Sequence, residues 1–288
     1  MSDRQCFLNG EFMPLAEARI PVLDRGFIFG DGVYDVVPVY GKRLFCFDEH
    51  IARLNRSLAK LRLPEPASSA QWLARCRQLV AAEPADDQVV YIQVTRGVAP
   101  RDHVMPANPN PTVFIMSNPM VGASAAQRRD GVACVSSDDF RWARGDIKST
   151  SLLGNVMARQ LSADQGATET ILFRDGHLTE ASSSNVWLVR DGVLVGPPQS
   201  DHVLEGIRFG LLQTLCQHTG IGFERRPIAQ SELRDADELL LSSATKEVLP
   251  VTRLDGALVG HGAAQGKPGP VYARLYQVYQ QAKTTLSV

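Results

Sequence analysis

The segment FRWARGDIKSTSLLGNV, residues 140–156, decides how the rest of the chain is read. It follows the strand-like GVACVSS (131–137) and runs into an apolar periodic stretch that predicts a helix over about Leu152–Asp164, so its middle is a connection. Lys148 sits there, with Arg141, Arg144 and Asp146 nearby, in a chain where only six of 30 basic residues are lysines. A surface lysine is interchangeable with arginine, but only a deprotonatable amine can attack a carbonyl. Lys42 (a hairpin turn), Lys60 (a helix end), Lys267 (the GKPGP loop) and Lys283 (near the C-terminus) read as solvated charges. Lys148 and Lys246, the latter in SSATKEVLP, are left as rivals for a reactive amine, each equally readable as a structural charge.

Working outward, FLNGEF places Asn9-Gly10 between apolar residues, a two-residue hairpin signal. VYDVVPVY and RLFCF flank Gly41-Lys42 in a second hairpin, where Pro38 argues for an edge strand or a bulge. Asp48 is read as the cap of a helix whose apolar face is Ile51, Leu54, Leu58 and Leu61, and Ser69–Ala82 predicts another. Strands over 88–97 and 111–117 flank the loop VAPRDHVMPANPNP. The small, Gly/Pro-punctuated NPMVGASAAQ (118–127) marks a domain boundary. In the second half, TETILFRDG and SNVWLVRDGVLVG supply strands, and a helix runs from about Glu205 to His218. GFERRP, QSELRDA and DELLLSS follow as strand, short helix and strand, and a hairpin at Asp255-Gly256 precedes a last helix from about Pro270. Strands and helices mix without a regular βαβ repeat. The expected fold class is therefore mixed α/β (α+β) in two domains: a smaller one over 1–120 and a larger one over 121–288 carrying Lys148.

Composition narrows the function. Apolar residues at 44% and charged residues at 21% exclude wholesale disorder, and a net charge of −1 argues against a dedicated nucleic-acid binder. No apolar run reaches the roughly 18 residues of a membrane span, and the opening MSDRQCFLNGEF has no apolar core for a signal peptide. Five scattered cysteines, none spaced C-x-x-C, read as reduced thiols in a cytoplasmic protein. The six histidines show no metal-ligand spacing, and Gly30-Asp31-Gly32 lacks the third glycine of a dinucleotide fingerprint, so no metal site is expected.

Three further segments carry chemistry. In TEASSSNVWLV, Glu180 heads a run of Ser182, Ser183, Ser184 and Asn185 before a strand, suited to orienting a polar cofactor or simply a solvated turn. In VTRGVAPRDH, Arg101 and His103 are two cationic donors two residues apart, fit for a carboxylate or for an exposed ion pair. In LSSATKEVLPV, Ser242, Ser243 and Thr245 lie between a strand and a possible helix N-terminus, a setting suited to phosphate.

Taken in order, DRGFIFGDGVYDVVPVY, FDEHIARL, VTRGVAPRDH, FRWARGDIKSTSLLGNV, LTEASSSNVW, LEGIR and LSSATKEVLPV resemble the fold-type IV pyridoxal-phosphate aminotransferases over nearly the whole chain, and within them the D-amino-acid transaminase branch. The resemblance implies a two-domain fold with the active site between the domains, bound pyridoxal 5'-phosphate, and amino exchange between a D-amino acid and a 2-oxo acid. It makes Lys148 the lysine that forms the internal aldimine and shuttles the proton, and Glu180 the carboxylate facing the pyridine nitrogen. Arg53, Gly206, Ile207 and Thr245 match phosphate-binding positions, Leu204 a side chain packed on the ring, and Ser182–Ser184 the loop beside the cofactor. Tyr34, Arg101 and His103 match a trap for the substrate carboxylate, with Arg101 and His103 reaching it from the partner subunit of a homodimer. Arg208 departs from the pattern, standing where many relatives carry a phosphate-binding threonine. Branched-chain L-aminotransferases and aminodeoxychorismate lyases share the lysine and the glutamate. The Tyr34, Arg101 and His103 set is what favours the D-specific branch.

Overall fold

The computed structural model describes residues 4–288; Met1–Asp3, the start of the opening examined for a signal peptide, lie outside them. The first of two compact units takes the chain up to Val121, together with Ile147–Leu152 and Thr285–Val288. The second takes Gly122–Asp146 and Leu153–Thr284.

The first unit contains β1 (Gln5–Leu8), β2 (Glu11–Pro14), α1 (Arg25–Phe29), β3 (Gly32–Tyr40), β4 (Arg43–Leu44), α2 (Phe47–Lys60), α3 (Ser69–Ala82), β5 (Gln88–Thr95) and β6 (Thr112–Pro119). Among the described residues the strands form a six-stranded sheet in the order β2-β1-β6-β5-β3-β4, antiparallel throughout. Asn9 and Gly10 both take positive φ, as a two-residue hairpin connection requires. α2 and α3 lay Ile51, Leu54, Leu58, Trp72 and Leu79 against Val33, Val37, Val90 and Ile92 of the sheet. Cys46 in the left-handed region, not Asp48, stands at the start of α2; its N–H is taken by the carbonyl of Leu286, and Asp48 falls in the first turn.

The sequence reading assigns Lys148 to the second domain, but its segment folds with the first unit. Tyr34 N–H donates to the Lys148 carbonyl (2.9 Å), Thr150 N–H donates to the Gly32 carbonyl (2.9 Å), and Ile147 enters the hydrophobic core at 6% exposure. Burying one such side chain is worth about 1.5–3 kcal/mol. Strand-like pairing with β3 thus decides where the lysine is held.

The second unit contains α4 (Ala125–Asp130), β7 (Val132–Asp138), α5 (Leu153–Asp164), β8 (Glu169–Arg174), β9 (His177–Ala181), β10 (Asn185–Arg190), β11 (Val193–Gly196), α6 (Ile207–Thr219), β12 (Gly222–Arg225), β13 (Glu238–Ser243), β14 (Glu247–Leu254), β15 (Ala257–Leu258) and α7 (Pro270–Thr285). Its nine-stranded sheet, again among the described residues, runs β12-β11-β10-β13-β14-β7-β8-β9, with β15 on β14; the pairs β11/β12, β14/β7 and β7/β8 are parallel. Near-continuous burial of β8, β10 and β13 fits a sheet covered on both faces. None of the described helices is long and apolar enough to cross a membrane.

Candidate active site

In the first unit, the backbone of Lys148 is fixed at both ends. Its N–H donates to Ser57 Oγ on α2 (3.3 Å) and its carbonyl accepts from Tyr34. Its Nζ lies 3.3 Å from the Tyr34 hydroxyl and 4.3 Å from the centre of that ring, which stacks on Tyr91. Among the described residues no carboxylate pairs with Lys148. Arg53, one turn before Ser57 on α2, donates through Nε (2.9 Å) and Nη2 (2.8 Å) to Asp35, which also pairs with His50 Nδ1 (2.7 Å). Burial opposes the Asp35 charge, but Arg53 and His50 overcome it and hold the carboxyl far below the usual carboxylate range. Asp35 is the neighbour of Tyr34 on β3, so one strand steers both Arg53 and the partner of Lys148.

Arg101 and His103 lie in the loop between β5 and β6. The Arg101 guanidinium sits 5.5 Å above the Phe29 ring, and the His103 ring is 5.5 Å from it. Among the described residues neither is hydrogen-bonded or ion-paired to Tyr34 or Lys148.

In the second unit, Glu180 is 7% exposed. It accepts from the Arg141 guanidinium on Oε1 and from the Leu204 N–H on Oε2 (3.1 Å). Asn185 donates to the Leu204 carbonyl (3.0 Å), tying the serine run to the segment ahead of α6. Arg141 is itself held by Asp139 (Nη2 to Oδ2, 2.9 Å). Burial works against the Arg141 charge, yet the pairs with Asp139 and Glu180 raise its pKa above the usual arginine range. The sequence reading passes over Arg141 as the residue that orients Glu180. Its only local signal is Asp139 two residues before it.

α6 begins at Gly206 with no side-chain cap, leaving its N-terminal amides and dipole to attract an anion. A Cβ at Gly206 would lie 2.2 Å from Asn185 Oδ1, so any side chain there would have to displace the Asn185 amide. Arg208, 2% exposed, donates to the Ala244 carbonyl (3.4 Å) and links the helix start to the turn containing Thr245. That turn is not a helix N-terminus, as the sequence allows, but a hairpin from β13 to β14 with Glu247 at φ 60.

The serine run is organised by Glu169, a residue sequence reasoning misses. The hydroxyls of Ser182, Ser183 (Oγ to Oε1, 2.5 Å) and Ser184 (2.8 Å) all donate to this fully buried carboxylate, and Lys246 Nζ pairs with it at 2.6 Å. The two candidate lysines separate on this observation: Lys246 is committed to a buried carboxylate, whereas Lys148 faces a phenol.

Residues 32–254 match the family model for amino-transferase class IV. The chain belongs to the class IV aminotransferases. It is 39% identical over 275 residues to a D-alanine aminotransferase of Bacillus licheniformis, across 95% of each chain. Against a D-alanine aminotransferase of Listeria monocytogenes the identity is 38% over 274 residues, covering 94% of this chain and 93% of the other. A solved Escherichia coli branched-chain amino acid aminotransferase superposes with a TM-score of 0.90 at 25% identity, over 97% of this chain and 94% of that one. Class IV aminotransferases use pyridoxal 5'-phosphate. Each unit by itself holds groups that suit such a cofactor: in the first, an amine with no carboxylate partner among the described residues; in the second, an uncapped helix start and a buried carboxylate.

Glu169 carries a pH-dependent prediction. Burial opposes its charge, but Lys246 and the serine donors hold its pKa below the ordinary 4.5. A carboxylate depressed in the folded state stabilises fully above its unfolded pKa, and that contribution is lost as pH falls through the folded value. Glu169→Gln is expected to cost about 3 kcal/mol at pH 7. Its melting temperature should approach that of the parent as pH drops below about 4.5. A gap that stays constant between pH 7 and pH 3.5 would remove the ion pair from this role.

Proposed function

We propose that the chain exchanges the amino group of a D-amino acid, such as D-alanine, with a 2-oxo acid, such as 2-oxoglutarate, in the cytoplasm and as a homodimer. The observation that carries the reading is the Lys148 Nζ set against the Tyr34 hydroxyl while Lys246 is bound by Glu169. When bound, pyridoxal 5'-phosphate supplies an electrophilic carbonyl and a ring that accepts the electron pair of the breaking Cα–H bond. Lys148 holds it by the amine and, once released, serves as the base at the substrate Cα. Glu180, oriented by Arg141 and the Leu204 N–H, is presented to the pyridine nitrogen as a carboxylate. Arg53, fixed by Asp35, and the Gly206, Ile207 and Thr245 backbone hold the phosphate. Leu204, Ser183 and Ser184 would contact the cofactor ring. Tyr34, Arg101 and His103 receive the substrate carboxylate, the last two from the neighbouring subunit.

Exposed apolar side chains support a second copy. On α5, Leu153 (73% exposed), Val156 and Met157 form one stripe with Leu161, and Phe140 and Trp142 are also half-exposed in that unit. Stripes of this kind mark association surfaces. All five cysteines are buried free thiols, as suits a reducing compartment.

Pyruvate formation from D-alanine with 2-oxoglutarate, against none from L-alanine, is the expected outcome; equal or greater use of L-alanine would overturn the D-specific reading in favour of the branched-chain one. Arg101→Ala should lower kcat/KM by roughly 10- to 150-fold for amino and oxo substrates alike, since a charge-assisted hydrogen bond to a carboxylate is worth about 1.5–3 kcal/mol. A change below about threefold would match an exposed loop ion pair instead. Subunit exchange between Arg101→Ala and Lys148→Ala protein should restore about a quarter of the sites if Arg101 serves the neighbour, and no recovery would mean that it acts within its own chain.

A further inference from the structure

We infer that Arg25 is a positioning residue for the loop carrying Arg101 and His103, and that it thereby sets the affinity for the substrate carboxylate; the inference rests on the role proposed above for that pair. Arg101, Asp102, His103 and Val104 are all exposed and lie outside any helix or strand, so their sequence alone does not fix their direction. Arg25, by contrast, is 4% exposed. Its Nη1 donates to the carbonyl of Asp102 and, at 3.5 Å, to that of Val104, the residues on either side of His103. Its Nε donates to Asp31 Oδ2 at 2.8 Å, and the same oxygen accepts Arg96 Nε at 2.8 Å. Its own N–H donates to the Gly97 carbonyl (2.9 Å), at the start of the loop.

The base of this arrangement is rigid. Asp24 caps α1 by accepting from the Gly26 N–H (2.8 Å), and it also accepts from Thr95 Oγ1 (2.8 Å) on β5 and Thr112 Oγ1 (2.6 Å) on β6. The helix is thus pinned to the strands at both ends of the loop. The Arg25 guanidinium lies 4.8 Å over the Phe29 ring, the ring that Arg101 and His103 also approach. One buried cation therefore fixes the loop backbone around His103, and one aromatic ring supports both side chains that would meet the carboxylate. No part of this network includes Lys148, Glu180 or the start of α6. Its effect should fall on substrate binding and leave cofactor binding alone.

The test is steady-state kinetics of Arg25→Met holoenzyme with D-alanine and 2-oxoglutarate. KM for both should rise roughly 10- to 100-fold, the scale of weakening a charge-assisted hydrogen bond to the carboxylate. kcat at saturation and the cofactor absorbance should change by less than about threefold. Placed in the Arg101→Ala background, the substitution should add less than it does in the parent, because part of its effect runs through Arg101 and only the His103 part remains. Unchanged KM, or effects that multiply in full in the double variant, would overturn the inference. If Arg25→Met fails to fold, Arg25→Lys carries the test: it keeps a cation for Asp31 but lacks the fork, so KM should still rise, and parental KM would overturn the inference. Arg101→Ala with unchanged KM would overturn the carboxylate reading itself, whereas a strong Arg101→Ala effect beside a silent Arg25→Met would remove Arg25 alone.

Discussion

Lys148→Ala is expected to lower kcat by about 10⁴-fold or more, the full range of a positioned acid–base group, because in the proposed function the same Nζ would both hold the cofactor and move the Cα proton. The fold should survive. The segment is held by Ile147 in the core and by backbone bonds to Gly32 and Tyr34, while among the described residues the Nζ hydrogen-bonds to the Tyr34 hydroxyl alone. Lys246→Ala should behave in the opposite way. Removing Lys246 leaves Glu169 buried without its cation, so stability falls, while kcat stays within about tenfold of the parent. Thermal melting and single-turnover kinetics on both variants separate the two lysines. Chemistry surviving in Lys148→Ala above about one per cent of the parental rate would remove this lysine from the reaction.

Glu180→Gln is expected to be the next largest loss. Glu180 accepts from Arg141 and from the Leu204 N–H, so its carboxylate is fixed in direction before any cofactor arrives. An amide keeps the shape but loses the charge, and among the described residues it leaves Arg141 with Asp139 as its carboxylate partner. Loss of that charge opposite the ring nitrogen is expected to lower the proton-transfer rate by about two to four decades, the range of a positioned acid–base group. The cofactor should remain bound, since the proposed phosphate-binding residues and Lys148 are unaltered. A near-parental rate with retained cofactor would show that the ring nitrogen does not depend on Glu180.

How far the fold could be read from sequence followed the range of the interactions involved. Asn9-Gly10, Asp255-Gly256 and the helix Ser69–Ala82 were legible because their causes are local: positive φ at the turn residues, and a capping box between Ser68 and Gln71. The start of α2 was misplaced because the Cys46 N–H is taken by Leu286, 240 residues away in the chain, which no local pattern records. The placement of Ile147–Leu152 failed for the same reason: its register is set by β3, more than a hundred residues earlier. Lys148 and Glu180 stood out by motif, but Arg141, which orients Glu180, and Glu169, which organises the serine run, did not. Arg141 lies 39 positions from Glu180, and Glu169 lies 13 to 15 positions before its serines and far from Lys246. A buried carboxylate inside TETILF reads as one more polar residue of a strand until the fold surrounds it with donors.

The most direct test of the central assignment is chemical. Sodium borohydride fixes a carbonyl cofactor irreversibly to whichever amine holds it. The purified holoenzyme, reduced and digested, should give one modified peptide whose label lies on Lys148 within GDIKSTSLLGNV. Label on Lys246, or on no lysine at all, would contradict the assignment.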